Sequence, residues 1–256
     1  MPTSELYGII LPVFGAAAAG LLGAFALMKR TVLAGDVMSH IAIPGLGLAV
    51  IWRLNPLVGG GLTLLIGILI IWSLQKRTDL TSEATIGVIF ATSVALGALL
   101  INSNEQLVDA LFGGFGGIST GEFIFGIAVS LLIIGALWLL RNQLIIGLFS
   151  PELASASGVN VNRLNLWFLL IFGLTILVSL RFLGALLVGS LIIIPASAAR
   201  QLTHTLARFL ITSMAVAVAS VGIGFWIANT YALDPGPTIV TTAAGIFALS
   251  LFKKKQ

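Results

Sequence analysis

Long apolar runs, each bounded by charges or turn residues, constrain this 256-residue chain more than any other feature. Most of them approach the roughly 20 residues that a helix needs to cross a bilayer. Hydrophobic residues make up 58% of the chain and charged residues 9%, whereas soluble domains carry about 25% charged residues. The sequence therefore predicts an all-α polytopic membrane protein, with about eight or nine transmembrane helices in a single bundle over residues 1–256. The nine candidate helices are 6–28, 31–53, 57–75, 83–101, 122–140, 163–180, 183–199, 208–229 and 237–252.

The distribution of Lys and Arg predicts the orientation of these helices. If the N-terminus lies outside, 11 basic residues fall inside and only Arg53 and Arg181 fall outside. Basic loops stay in the cytoplasm, so we expect the C-terminus inside. The start "MPTSELYG" lacks a basic region and is expected to belong to a true span rather than to a signal peptide. The segment 107–121 is short and glycine-rich, which indicates a re-entrant or interfacial piece.

Several function classes are disfavoured by what the sequence lacks. The chain contains no cysteine, so it offers neither disulfides nor thiolate metal ligands. It contains no GxxxxGK[ST] motif for nucleotide phosphates, and no nucleophile–base constellation for an enzyme. Basic patches interleaved with aromatic residues are absent, which argues against nucleic acid as a partner. We therefore expect a non-enzymatic protein that takes any energy it needs from a partner subunit or from an ion gradient.

Asp36 and His40 stand four residues apart at the head of an apolar run. On a helix this spacing places two side chains on nearly the same face, and carboxylate with imidazole suits Zn²⁺ or Mn²⁺. Ionisable residues in membrane helices are functional candidates because they are costly there. Two structural alternatives stay open: Asp36 caps the helix or pairs with Lys29 or Arg30, and His40 bonds a carbonyl of the bundle.

Residues 141–162 form a polar-leaning stretch between two spans, and a short helix is predicted at about 151–159. Ser150 suits the cap, Pro151 the first helical position and Glu152 the positive end of the helix. Gly158 suits the stop. From the residues alone this helix is a cytoplasmic connection between spans.

Other features indicate packing or solvent exposure. Gly15, Ala19 and Gly23 form a small-residue stripe for close helix contact, and Pro44 and Pro195 are expected to kink their helices. His204 is interpreted as a solvated loop residue. The remaining polar candidates form an expected acidic outer rim or interfacial anchors: Glu105, Asp109, Glu122, Arg181 and Asp234.

Six segments, in this order, resemble the membrane permease subunit of bacterial ABC transporters for zinc, manganese and iron. They are "KRTVLAGDVMSHIAIPG", "SEATIGVIFATSVALGALL", "LFGGFGGIS", "SPELASASGV", "FLGALLVGSLIIIPASAAR" and "DPGPTIV". The first is the most specific, because it combines basic residues with Gly-Asp, Ser-His and Pro-Gly. The resemblance covers essentially the whole chain.

This resemblance implies a type II ABC importer-like fold in the bacterial inner membrane, with Asp36 and His40 in the metal path. It implies that the short helix is a coupling helix that contacts a separate ATPase subunit. The coupling residues are Pro151, Glu152, Leu153, Ala154 and Gly158. It also implies a permease homodimer and an extracytoplasmic metal-binding protein. The metal is transported substrate, with zinc favoured over manganese and no permanent cofactor.

The expected mechanism is alternating access driven by ATP hydrolysis in the partner. Two alternatives remain open: a proton-coupled secondary transporter that uses Asp36 and His40 as a relay, and an ABC permease for a metal chelate such as a siderophore. A membrane scaffold fits only if no ATPase accompanies the chain.

Overall fold

The fold is known from a computed structural model, which describes residues 3–32, 34–78, 81–100 and 119–252. Within these ranges the chain is helical, without strands. Most of the predicted 107–121 segment, with Glu105, Asp109 and Lys253–Lys255, lies outside the described residues. The α-helices are α1 Thr3–Met28, α2 Ala34–Ser39, α3 Ile43–Ile51, α4 Pro56–Arg77, α5 Ser82–Leu100, α6 Thr120–Phe149, α7 Pro151–Ala156, α8 Val161–Leu202, α9 Leu206–Tyr231 and α10 Pro235–Leu251.

Helix α1 forms the centre of the bundle, and α5 and α6 lie at its periphery. Of the most apolar stretch of α1, 72% is buried, against 22% for α5 and for α6. Six helices are long and apolar enough to cross a membrane, and two shorter apolar helices cover 187–202 and 235–251. Large hydrophobic side chains such as Leu99 and Leu139 face outward, as expected where lipid rather than water is the solvent. The all-α membrane fold is thereby confirmed.

Small residues bring α1 against its neighbours. A Cβ on Gly20 would lie 2.6 Å from the carbonyl oxygen of Ser213, and one on Gly23 would overlap the carbonyl of Ile192. The Ser213 hydroxyl donates a 2.5 Å hydrogen bond to the Gly20 carbonyl. Gly15 and Ala19 are also buried. Of the predicted stripe, Gly23 brings α1 against α8, whereas the neighbouring Gly20 brings α1 against α9.

The span predicted at 31–53 is not one continuous helix. It consists of α2, a 3₁₀ turn over His40–Ala42, and α3. Pro44 explains the interruption, because it has no N–H to donate to the carbonyl of His40. That carbonyl instead accepts from the N–H of Ile43, which is the i to i+3 bond of a 3₁₀ turn. The predicted proline kink is therefore present, and it lies at His40 itself.

Helix α8 is a helical hairpin rather than one rod of 42 residues. Its backbone is non-helical at Gly184, with φ 70° and ψ 170°, angles that favour glycine. A Cβ on Gly35 would lie 3.3 Å from Ile192 and 3.4 Å from Phe172, although in a straight helix these two residues would be about 30 Å apart. The chain must reverse between them, which agrees with the predicted spans 163–180 and 183–199. Pro195 is buried within the second half of the hairpin.

Helix α6 runs past its predicted end at residue 140. It begins with a capping box, in which Ser119 and Glu122 bond each other's backbone N–H groups, and it continues to Phe149. Arg141 therefore lies inside the helix, where its guanidinium stacks on the Trp138 ring at 4.8 Å. The long apolar stem of Arg141 and its aromatic partner allow the helix to continue past this charge.

Candidate metal path and coupling surface

Asp36 is exposed on a helix whose other faces are buried. It is the third residue of α2, where a carboxylate favours the positive end of the helix. Ala34, Gly35, Met38 and Ser39 are buried, and Gly35 packs on Ile192 and Phe172. The rest of α2 is thus fixed against α8, and the carboxylate is presented on the surface of the single chain.

The hydroxyl of Ser39 fixes the orientation of His40. Ser39 Oγ donates a 2.7 Å hydrogen bond to the carbonyl of Asp36 and lies 3.2 Å from His40 Nδ1. Since a hydroxyl has one proton to donate, Nδ1 must be the donor of the second bond. This network assigns the proton of the neutral ring to Nδ1, and it leaves the Nε2 lone pair available to bind a metal.

The His40 ring also contacts α5. Its centroid lies 5.4 Å from that of Phe90, with the rings tilted by 47°, and His40 is half-buried. One face of the imidazole is therefore supported by an aromatic side chain, while Ser39 holds one nitrogen. Such second contacts to the ring orient a metal ligand.

The depth of Asp36 follows from its contact with α8. Gly189 lies against the backbone of Asp36, thirteen residues before the end of α8 at Leu202. Thirteen helical residues span about 20 Å. Asp36 therefore lies about 20 Å along α8 from the end of that helix, beside its apolar second half.

Neither structural alternative for Asp36, a helix cap or an ion pair with Lys29 or Arg30, is found within the described residues. Asp36 lies inside α2 instead of capping it, and within the described residues it has no ion-pair partner. Lys29 instead donates a hydrogen bond to Asn165 Oδ1, and Arg30 is exposed. In the described part of the chain, no group of three or more His, Asp or Glu residues forms a metal cluster.

The predicted coupling helix is α7, Pro151–Ala156. Ser150 caps it by accepting the N–H of Leu153 at 3.2 Å, Pro151 stands at its start, and Gly158 ends the turn with φ 80°. Ala154 is buried, whereas Leu153 is 64% exposed and the preceding Phe149 is 83% exposed. The helix therefore rests on the bundle through Ala154 and presents an apolar surface next to Glu152.

The other polar candidates from the sequence lie outside both α2 and α7. His204 is exposed in the turn between α8 and α9, as predicted. Asp234 is exposed at the start of α10, and Glu122 takes part in the cap of α6. The side chain of Arg181 is not among those described.

Sequence reasoning missed three contributors to these sites: Ser39, Gly189 and the bond between Lys29 and Asn165. Ser39 could have been found, because it adjoins the candidate ligand. Gly189 and Asn165 carry no local signal, since their roles depend on which helix packs against α2 and α1.

Comparison with known proteins decides the family. The sequence profile of the ABC 3 transport family matches residues 6–254. The chain belongs to the ABC 3 transport family. It is accordingly a multi-span permease subunit of a metal ABC transporter and not an enzyme. The chain is 31% identical to the high-affinity zinc uptake system membrane protein ZnuB of Haemophilus influenzae, over 98% of this chain and 96% of the relative.

Manganese permeases are similar too. The manganese transport system membrane protein MntC of Listeria monocytogenes is 27% identical over 93% of this chain and 86% of its own length. Among solved structures, PsaBC from Streptococcus pneumoniae in complex with Fab matches with a TM-score of 0.84 and 26% identity, covering 97% of this chain and 91% of that one. An inward-facing conformation of a putative metal-chelate type ABC transporter shares the fold, with a TM-score of 0.79 at 19% identity, covering 97% of this chain and 86% of that one.

Proposed function

We propose that this chain is the membrane subunit of an ATP-driven importer for Zn²⁺ or Mn²⁺, with Asp36 and His40 as ligands along the metal path. The observation that carries this proposal is the exposure of Asp36 beside the apolar second half of α8. A carboxylate facing lipid is costly, whereas a carboxylate facing a cation path is stabilised by its cargo.

A permease homodimer follows from the same observation. Two copies related by a two-fold axis present the same surface to each other. If the face that carries Asp36 lies at that axis, the carboxylate is shielded from lipid and two Asp36–His40 pairs face one path. The metal would then meet up to four protein ligands, with water completing its coordination shell. One permease domain over 1–256 suffices for each half of this assembly.

Energy enters through α7 in this proposal. A separate ATPase subunit docks on the surface formed by Phe149, Glu152 and Leu153, which combines two exposed apolar side chains with one exposed carboxylate. ATP binding and hydrolysis move α7, and the helices then expose the metal path inward after an extracytoplasmic binding protein has delivered the ion. This chain supplies binding and movement, without bond chemistry.

Zinc is favoured over manganese because the Nε2 of His40 is a nitrogen ligand. Imidazole suits Zn²⁺, whereas Mn²⁺ prefers oxygen ligands. Identity to both zinc and manganese permeases keeps manganese as the second candidate. In each case the ion is cargo and is released on the cytoplasmic side of the bacterial inner membrane.

Uptake by the reconstituted complex tests the proposal. Vesicles that contain this chain and its ATPase subunit are loaded with ATP, and uptake of Zn²⁺, Mn²⁺ and Fe²⁺ is measured with the binding protein outside. Asp36→Ala and His40→Ala should each reduce uptake roughly tenfold or more. His204→Ala and Asp234→Ala are matched controls, because both residues are exposed away from α2.

The same vesicles separate the other mechanisms. Uptake by this chain alone under a pH gradient would show a proton-coupled secondary transporter, and uptake of a siderophore unaffected by Asp36→Asn would show a chelate permease. Unchanged metal uptake by both Asp36→Ala and His40→Ala would remove the proposed ligands.

A further inference from the structure

Three helices meet around Lys29 at the end of the bundle that carries α7. The Lys29 ammonium donates to Asn165 Oδ1, and Asn165 Nδ2 donates to Gln75 Oε1 at 2.9 Å. These residues stand at the end of α1, in the first turns of α8 and in the last turn of α4, respectively. We call this set of hydrogen bonds the Lys29 clamp.

The Lys29 clamp is isolated from opposite charge. Lys29 is half-buried, and its ammonium lies 4.5 Å from the centroid of the Phe168 ring. No carboxylate partners it within the described residues. Burial lowers the pKa of Lys29 from 10.5 to about 8. A partly desolvated cation that keeps few partners is costly to separate from any of them.

Asn165 connects the Lys29 clamp to α7, because α7 directly precedes α8 in the chain. Only residues 157–160 separate α7 from α8, and Val159 packs against the core. Asn160 caps α8 by accepting the N–H of Arg163 at 3.1 Å. The Trp72 ring N–H of α4 donates to the carbonyl of Asn162 at 3.1 Å. Because the connection between α7 and α8 is only four residues long, displacement of α7 pulls on the first turns of α8, where Asn165 lies.

Lys29 itself connects the Lys29 clamp to the candidate metal ligands, because it lies at the start of the connection from α1 to α2. Lys29 follows the last residue of α1, and Thr31 and Val32 belong to the connection into α2, which presents Asp36. The N–H of Gly35 bonds the carbonyl of Val32 at 3.1 Å, and the N–H of Ala34 bonds that of Thr31 at 3.0 Å. Thr31 and Val32 are thus hydrogen-bonded to the first residues of α2, and displacement of either residue is passed to α2.

We propose that Lys29 is a positioning residue that joins the movement of α7 to the Asp36–His40 segment, through Asn165 on α8. The inference rests on the proposed function, because it presumes that a partner ATPase acts on α7. Lys29 does not touch the metal. Its role is to make the start of the α1–α2 connection follow the first turns of α8, so that ATP hydrolysis and release of the metal occur together.

The experiment measures metal taken up per ATP hydrolysed by the complete complex in vesicles. Lys29→Met and Asn165→Leu should each lower this ratio about tenfold while ATP hydrolysis continues, and the double variant should be no worse than either single one. Asn165→Asp supplies a carboxylate for Lys29, so its ratio should stay within about twofold of wild type. Lys76→Met is the control, since Lys76 is exposed near the same end.

The outcomes separate this inference from the proposed function. If the wild-type complex takes up no metal, the proposed function itself is wrong. If the wild-type complex transports metal and Lys29→Met takes up as much metal per ATP hydrolysed as wild type, then Lys29 does not couple α7 to the Asp36–His40 segment. Should Lys29→Met fail to assemble, the Asn165 variants decide: equal ratios for Asn165→Leu and Asn165→Asp would overturn the proposal, and a loss confined to Asn165→Leu would support it.

Discussion

Gly189 of α8 lies directly against the backbone of Asp36. A Cβ added at Gly189 would be 2.7 Å from both the Cα and the Cβ of Asp36 and 2.9 Å from its backbone nitrogen. The second half of the α8 hairpin therefore packs against the backbone of Asp36 and fixes its position. Only a hydrogen atom fits between the two backbones, so the position of Asp36 depends on a residue about 150 positions away.

Gly189→Ala should impair metal transport without altering either proposed ligand. The methyl group has only backbone and Asp36 itself to displace, so α2 must shift by several tenths of an ångström. We expect uptake to fall roughly tenfold, because small misplacements of ligands are costly. Gly222→Ala is the matched control, since nothing lies within 4 Å of a Cβ at that helical position. Normal uptake by Gly189→Ala would show that the contact does not matter.

Ser39→Ala should weaken metal binding through the tautomer of His40. Without the Ser39 hydroxyl, Nδ1 loses its acceptor and the proton is no longer held away from Nε2. Loss of such a partner costs about 10–100-fold in metal affinity. Nitrogen NMR of labelled histidine in the purified complex reports the tautomer, and metal titration reports the affinity. An unchanged His40 signal in the variant would contradict the assignment.

Single-cysteine cross-linking tests whether the Asp36 face lies between two copies. The chain contains no cysteine, so Asp36→Cys creates the only thiol in a permease. In membranes, mild oxidation should give a covalent dimer of this variant. Leu139→Cys, 83% exposed on α6, serves as the comparison and should remain monomeric. Dimers from Leu139→Cys alone would place the interface on another face.

Lys29 should make stability depend on pH in the alkaline range. Its pKa is about 8 in the folded chain against 10.5 for the free side chain, so the unfolded chain binds more protons between these values. The free energy of unfolding of wild type should therefore rise, relative to Lys29→Met, as pH increases from about 8 to 10. Thermal unfolding of both proteins in detergent measures this difference. Arg30→Met removes a basic side chain at an exposed neighbouring position and serves as the control.

Several elements of this protein could be predicted because their causes are local in sequence. Apolar runs predicted the spans, since lipid accepts only helices whose backbone is satisfied internally. Ser150 and Pro151 predicted the start of α7, and the residues between 163 and 199 predicted two spans. The four-residue spacing of Asp36 and His40 identified the candidate pair. The family resemblance, carried by six ordered segments, is confirmed.

Other features were decided by tertiary packing alone. The sequence did not show that Asp36 would be exposed while its neighbours are buried, because that depends on Gly35 and Gly189 meeting α2. Nor did it show that Lys29 would bond Asn165, 136 residues away, instead of Asp36. Hydrophobic periodicity fixes which segments become helices, but the rotation of α2 and the polar partner of Lys29 are set by contacts with α8, which is distant in sequence and leaves no trace near either residue.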